Sequence, residues 1–307
     1  MFQPPRSTSC LITTFHCKAN EGLLGFSSDT RHQALPSAIL VLPHKPGDVE
    51  KAVALAAGTN HVLVLTTHGN VYAWGAGDSA QLGRRVMERR KIHGTVPEKV
   101  VLGTRTRKAV AIAAGSYHSF AVDTEGDVWG WGANHLGQTG TGRQGAGDDE
   151  VRLPMKVKGL GVEELGGGER VVEIAGGEHH SLFLTSGGRV FACGRAYNGQ
   201  LGLEENDPAM VNRLDKESLA EPAVVRFPGD GDDRIVHVAA GSHNSMAVSE
   251  GGALFAWGQG MSGELGAKDD DEVRTPREIV RRTGGSWKAL EVACGGQHTL
   301  GLFLRKS

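Results

Sequence analysis

The sequence predicts an all-β protein, a β-propeller of about five blades, and three observations lead to this prediction. A pattern of roughly sixty residues recurs along the chain. Glycine is unusually frequent, at 45 of 307 residues. Short runs of Val, Ala and aromatic residues alternate with glycine-containing turns. A four-stranded unit cannot bury both of its faces alone, so the units must stack, and radial stacking gives a propeller.

The first recurring phrase is a strand of small residues that ends in Ala-Gly or Cys-Gly. Two variable residues follow, then usually a histidine, and then a second apolar strand. We place the copies at 57–61, 114–118, 175–179, 240–244 and 294–298. Because its residues are small, we expect the first strand to lie nearest the crowded propeller axis.

A second phrase, Gly-x-Val-aromatic-x-Trp-Gly or a close variant, follows four of these copies. It occupies residues 69–75, 126–132, 188–194 and 252–258. Its aromatic side chains point to alternate faces of a strand, so they should pack between neighbouring sheets. A later proline in each unit predicts an outer edge strand, where a backbone donor is not needed. These prolines are Pro97, Pro154, Pro222 and Pro276.

The repeat divides the chain into a short atypical segment, 1–13, and a propeller over 14–307. The predicted repeats are 14–57, 58–114, 115–175, 176–240 and 241–294, with a closing strand at 295–304.

Composition and motifs exclude several classes of function. A net charge of −2 gives no overall attraction to nucleic acid or to an anionic membrane. The four cysteines form no Cys-x-x-Cys pair, which indicates a reducing compartment and no zinc or disulfide framework. No apolar run is long enough for a membrane helix, and no secretory signal is recognisable. The Gly-x-Gly-x-x-Gly match at 258–263 belongs to the repeat and lacks a following helix, so we expect no cofactor.

These phrases resemble the repeat of the regulator-of-chromosome-condensation family over residues 14–304. Three features resemble the branch that contains guanine-nucleotide exchange factors for the small GTPase Ran: the segment 20–26, the basic stretch 81–90, and the loops with His179-His180 and 294–300. The resemblance implies a seven-bladed propeller whose first two blades are missing here. It also implies a nuclear protein that acts without covalent chemistry on a Ran-type GTPase, with histones or chromatin as a further partner.

Partner-binding residues are predicted in the loops that follow the repeated glycines. The side chains just before the repeated histidine differ in every copy, as a surface that recognises a partner requires, although drift at exposed positions would look the same. The resemblance implies contacts at Asn60, at the paired histidines and at His298, with Arg84 and Asn134 as further candidates. The full predicted set is Asn60, Arg84, Tyr117, Asn134, Glu178, His179, His180, His243, Gln297 and His298.

The resemblance also implies a protruding hairpin that wedges against the GTPase near its nucleotide. This wedge corresponds to Gly25, Phe26, Ser27, Ser28, Asp29, Thr30 and Arg31. From the residues alone, the short and polar segment favours an ordinary exposed loop.

Alternatives remain open. The repeated histidines His61, His118, His179 and His298 could bind a metal or transfer protons, but their equivalent positions favour a repeated structural hydrogen bond. A non-catalytic propeller adaptor that binds another protein is the main alternative to an exchange factor. A tryptophan-based light sensor is disfavoured because the five tryptophans lie outside the inter-strand loops that such a sensor uses.

Overall fold

A computed structural model describes residues 48–85, 92–143, 147–211, 216–229, 233–267, 272–279 and 286–305, together with the backbone of short strands between residues 11 and 45. Its centre is a row of four-stranded antiparallel sheets, which we call blades I to IV, followed by a two-stranded sheet, blade V. In each complete blade the strands follow one another in space in their chain order.

The strands of each blade are given from the innermost to the outermost. Blade I contains Ala52–Ala57, His61–Thr66, Val71–Gly75 and Glu98–Val100. Blade II contains Ala109–Ala114, His118–Asp123, Val128–Ala133 and Glu150–Lys156. Blade III contains Val171–Gly176, His180–Thr185, Val190–Arg195 and Ser218–Val225. Blade IV contains Ile235–Ala240, Asn244–Ser249, Leu254–Gln259 and Glu272–Glu278. Blade V contains Trp287–Cys294 and Thr299–Arg305.

Shorter elements complete the described chain. Near the N-terminus three strand pairs form, Leu11–Thr14 with Ser37–Val41, Cys17–Lys18 with His32–Gln33, and His44–Lys45 with Asp48–Val49. One-turn helices occupy Ile92–Thr95, Val162–Leu165 and Pro208–Val211. Among the described residues, no helix has the length and apolar character to cross a membrane.

The innermost strands of successive blades contact one another, which places them around the propeller axis. Antiparallel pairing then separates the connections into two faces. The loops after each innermost strand and the loops before each outermost strand lie on one side, which we call the loop face. The tight turns between second and third strands, and the linkers between blades, lie on the opposite side, which we call the hairpin face.

The predicted architecture is confirmed. Pro154, Pro222 and Pro276 lie in outermost strands, where the missing backbone donor costs no ladder bond. The aromatic strand packs between sheets as expected. The Trp131 side chain of blade II is fully buried, and its Nε1 donates a 2.9 Å hydrogen bond to the Gln81 carbonyl of blade I.

The repeat alignment needs one correction, in blade III. The glycine of this loop donates its backbone NH to the carbonyl of the residue three positions later, for example Gly58 to His61. In blade III the donor is Gly177 and the acceptor is His180, not Gly176 and His179. Two adjacent glycines and two adjacent histidines made both alignments possible in the sequence, whereas the backbone hydrogen bond selects one.

Candidate partner-binding face

The repeated histidine of each blade forms a hydrogen bond to the next blade. His61 of blade I is fully buried, and its Nε2 lies 2.8 Å from the Ser119 hydroxyl of blade II. Ser119 in turn donates a 2.9 Å hydrogen bond to the backbone carbonyl of Gln81, which is again in blade I. The serine therefore fastens blade II to two separate loops of blade I.

The same clamp recurs at the following junctions. His118 and His180 bond to Ser181 and Ser245 at 2.8 and 2.9 Å. The serines donate to the carbonyls of Gln138 and Gln200, each at 2.8 Å. At the junction of blades IV and V, Asn244 takes the histidine position, and Thr299 donates to the Glu264 carbonyl at 2.8 Å. The expectation of a repeated structural hydrogen bond is thus confirmed for His61 and His118, and it holds for His180 rather than His179.

The clamp fixes the protonation of these histidines. A carbonyl only accepts, so each serine uses its single proton there and must accept the proton of histidine Nε2. Burial also lowers the pKa, to about 4 for His61 and to about 3 for His118 and His180. These rings are therefore neutral at physiological pH and serve as blade connectors.

The loops on the loop face approach one another so closely that side chains are excluded. A Cβ added at Gly58 would lie 2.3 Å from Cε1 of His61 and 2.5 Å from the Gly115 carbonyl oxygen of the next blade. The backbone NH of Thr59 donates to the Ser116 carbonyl at 3.0 Å, and the NH of Ser116 to the Gly177 carbonyl at 2.9 Å. The innermost loops of blades I to III thus form one continuous, hydrogen-bonded arc.

One variable residue per blade lies in these innermost loops, directly before the clamp position. Its backbone carbonyl accepts a hydrogen bond from the end of the third strand, as the Asn60 carbonyl does from the Ala76 NH at 2.7 Å. The same bond identifies the equivalent residues in blades II to IV, and the chain position before His298 gives the one in blade V. The set is Asn60, Tyr117, His179, His243 and Gln297. The repeat in the sequence predicts Glu178 at this position of blade III, and this prediction is wrong. The hydrogen bond identifies His179 as the equivalent of Asn60, and Glu178 is an additional loop residue.

Histidines gather where blades II and III meet on the loop face. The rings of His135 and His179 lie edge to face, 5.1 Å between centroids, and Nε2 of His179 is 3.5 Å from a Glu178 carboxylate oxygen. Burial is the main cause that lowers the pKa of His179, and His135, Arg195 and His243 act in the same direction, against Glu178. This part of the face therefore places the imidazoles of His135 and His179 near the charged side chains of Glu178 and Arg195.

Three predicted contact residues are engaged inside the protein. His180 is a connector, as described above. Asn134 is 1% exposed, and its amide donates to the Arg143 and Asp148 carbonyls at 2.9 and 3.0 Å, which shapes the loop of blade II. The Arg84 side chain is 9% exposed and pairs with Glu98 at 2.9 Å. The structure therefore removes the side chains of His180 and Asn134 from the surface and leaves Arg84 at its edge.

The remaining predicted residues divide into two groups. Gln297 and His298 are exposed in the loop of blade V. The predicted wedge, 25–31, lies outside the described residues, as does 86–90 of the basic stretch.

A cluster of three carboxylates on the hairpin face has the charge to attract a cation. Asp123, Glu125 and Asp127 approach one another in the turn of blade II. The Arg107 guanidinium contacts all three, at 2.5, 2.7 and 3.3 Å. An arginine therefore already supplies the positive charge that these carboxylates require.

Sequence reasoning missed the serine and glutamine members of the clamp, although a signal was present. A hydroxyl residue follows the clamp position in blades II to V, namely Ser119, Ser181, Ser245 and Thr299. Gln81, Gln138 and Gln200 recur in the same way. In the sequence alone these positions are recognisable only as parts of a strand and of a turn.

Comparison with known proteins agrees with this geometry. The RCC1-like domain family matches residues 9–301. Protein pim1 of Schizosaccharomyces pombe is 36% identical over 298 residues, which is 95% of this chain and 51% of pim1. Guanine nucleotide exchange factor SRM1 of Saccharomyces cerevisiae is 32% identical over 290 residues, 94% of this chain and 56% of SRM1.

A solved structure is similar over nearly the whole chain. It is that of Prp20p from Saccharomyces cerevisiae, a protein described with its binding to Gsp1p and histones. The TM-score is 0.77 at 30% identity, and the match covers 95% of this chain and 64% of Prp20p. The blades and the clamp define a propeller that is built from a sequence repeat. The chain belongs to the RCC1-like domain family. It spans about half to two thirds of the length of these relatives.

Proposed function

We propose that this chain acts in guanine-nucleotide exchange on a Ran-type small GTPase, which it binds with the loop face. One observation carries the proposal. Four kinds of side chain, Asn, Tyr, His and Gln, occupy the five equivalent positions of the loop face, where the loops of blades I to III are hydrogen-bonded into an arc, while the blades beneath them repeat. A relative named as a guanine nucleotide exchange factor supports the nature of the reaction.

The mechanism requires no covalent step. A factor that binds the nucleotide-free GTPase more tightly than the loaded form weakens nucleotide binding by the same factor, because the two equilibria are linked. The arc is suited to this role because its backbone is already fixed by bonds between blades, so little ordering cost opposes association. Asn60, Tyr117, Glu178, His179, His243, Gln297 and His298 would contact the GTPase, and the wedge, 25–31, would act near its nucleotide.

Location and further partners follow from the same proposal. Exchange on a Ran-type GTPase implies a nuclear protein, and the histone binding described for Prp20p makes histones or chromatin a second candidate partner. The hairpin face remains free for such a partner when the loop face is occupied.

The test is the release of fluorescent GDP from a Ran-type GTPase in the presence of excess GTP. We expect micromolar concentrations of the chain to accelerate release, and to have no effect on a Ras-type GTPase assayed in parallel. Binding to the nucleotide-free GTPase without acceleration would favour the adaptor. If the chain neither binds the GTPase nor accelerates GDP release, the proposal is refuted.

A further inference from the structure

A second arc of variable positions lies outside the first one on the loop face. These positions follow the third strand of each complete blade, two residues after the one that bonds to the inner loop. They are Asp78, His135, Tyr197 and Met261. They carry a different chemistry in each blade, whereas the inner positions have histidine in both blade III and blade IV.

Blades III and IV place two large apolar groups in this outer arc. Tyr197 is 61% exposed and Met261 is 70% exposed. Of the large apolar side chains on the described loops of this face, these two are the most exposed. A single exposed apolar residue is ordinary on any protein surface, so exposure alone decides nothing.

One hydrogen bond joins the two blades at this point, and this distinguishes the pair from isolated exposed residues. The Asn198 amide, next to Tyr197, donates to the Gln259 side-chain oxygen at 2.8 Å. The Gln259 amide nitrogen lies 2.9 Å from the Met261 sulfur. A chain of contacts thus leads from the Tyr197 loop of blade III to Met261 of blade IV.

This arrangement has the properties of an interaction hot spot. Tyrosine offers a large contact area with little rotational freedom to lose, and methionine adapts to irregular apolar surfaces. Beside Tyr197 lies a groove of mixed character, in which Leu201, Leu203 and Met210 stand next to charged residues such as Glu204 and Arg274. The outer arc is also continuous with the inner one, because the ring of His135 contacts that of His179.

We infer that Tyr197 and Met261 form an apolar anchor for the GTPase at the periphery of the loop face, recognising an apolar patch on that partner. The inference rests on the proposed function and adds to it. The inner arc supplies polar contacts, whereas blades III and IV supply the apolar contact that sets the affinity. This anchor also makes blades III and IV contribute more to docking than the other blades.

The experiment measures the affinity of the chain for the nucleotide-free GTPase by surface plasmon resonance. Tyr197→Ala and Met261→Ala should each weaken binding about 30-fold, as truncation of a hot-spot residue does. Tyr197→Phe should bind like the unaltered chain, because the ring and not the hydroxyl makes the contact. The matched control is Leu153→Ala, which removes a side chain of similar exposure, 50%, from the outermost strand of blade II.

The outcomes separate the two proposals. If the unaltered chain binds and the two alanine variants bind equally well, the apolar anchor is refuted and the proposed function stands. If the unaltered chain neither binds nor exchanges nucleotide, the proposed function fails first. Thermal unfolding of each variant checks the fold, and an equal loss of affinity in Leu153→Ala would also overturn the inference.

Discussion

At the scale of residues, the blade-to-blade clamp explains why a histidine and a hydroxyl residue recur in this sequence. Ser119 is 58 residues from His61 and 38 residues from Gln81 in the chain. The three residues nevertheless meet in one buried hydrogen-bonded group. A buried donor or acceptor that loses its partner destabilises a protein by about 1–3 kcal/mol. The clamp therefore accounts for the histidine and the serine. The glutamine contributes only its backbone carbonyl to the clamp, and its side-chain oxygen accepts a 2.9 Å hydrogen bond from the Ser79 backbone NH.

Replacement of the clamp serine tests this account. Ser119→Ala leaves His61 Nε2 and the Gln81 carbonyl without this partner, so we expect the free energy of unfolding to fall by about 1–3 kcal/mol. Urea denaturation followed by tryptophan fluorescence measures the change. The control is Ser262→Ala, at an exposed serine of blade IV, where the expected change is within about 0.5 kcal/mol. Equal stabilities of the two variants would contradict the clamp.

The connector histidines also predict a dependence of stability on pH. Their folded pKa values of about 3 to 4 lie below the unfolded value near 6.5. Below pH 6.5 the unfolded chain binds more protons, so each histidine lowers stability by about 1.4 kcal/mol per pH unit as the pH falls toward its folded value.

In blade IV, Asn244 occupies the position that His118 occupies in blade II. The chain itself therefore has an asparagine at this position, and His118→Asn copies it. We expect this variant to lose stability less steeply than the unaltered chain between pH 6.5 and 5. The difference in slope should be about 1.4 kcal/mol per pH unit. Urea unfolding at several pH values measures both slopes, and parallel slopes would rule out a buried neutral His118.

At the scale of elements, charged groups bridge the innermost strands of blades III, IV and V. His237 of blade IV lies 2.8 Å from a Glu173 oxygen of blade III and 2.7 Å from the Val292 carbonyl of blade V. Both ring nitrogens face acceptors, so the protonated ring satisfies both. The hydrogen bond to Glu173 is the main cause that raises the pKa of His237, and the Val292 carbonyl contributes in the same direction against burial.

The two hydrogen bonds of His237 should stabilise the packing of blade V against blade IV, and this contribution should decrease as the pH rises. The connector histidines have the opposite effect, because they lower stability as the pH falls. A raised folded pKa means that the contribution is complete below the unfolded pKa near 6.5 and is lost as the pH rises through the folded value. His237→Gln should therefore increase amide hydrogen exchange in Trp287–Cys294 more at pH 6 than at pH 8. The strand Val128–Ala133 serves as an internal reference, and an equal effect at both pH values would contradict the bridge.

The sequence predicted strands and blades well because each strand has a local signature. Small residues mark the innermost strand, aromatic residues the third, and a proline the outermost. The loop register in blade III was not predictable, because Gly176 and Gly177 offer two alignments that differ only in a tertiary hydrogen bond. The burial of Asn134 could not be foreseen for a related reason, since its acceptors at residues 143 and 148 belong to a variable loop.

At the scale of the whole molecule, each blade relies on its neighbour. Leu55 and Val238 hold equivalent positions in innermost strands, yet Leu55 is 63% exposed and Val238 is 2% exposed. Val238 packs in a core that includes residues of blades III and V, whereas Leu55 lies on the blade I side where no further complete blade is described. Stability in such arrays is shared between units and interfaces. The loop face is therefore a rigid surface only as long as the blades stay together.

The central claim is that the GTPase docks on the loop face, and one measurement addresses it directly. It is GDP release with a triple variant of the inner arc, Asn60→Ala, His179→Ala and His243→Ala. A matched triple variant of exposed residues on the hairpin-face linkers, Arg105→Ala, Lys158→Ala and Glu163→Ala, serves as the control. We predict that the first variant slows exchange about 10- to 100-fold and that the second leaves it unchanged. The reverse result, or an equal effect of both variants, would contradict docking on the loop face.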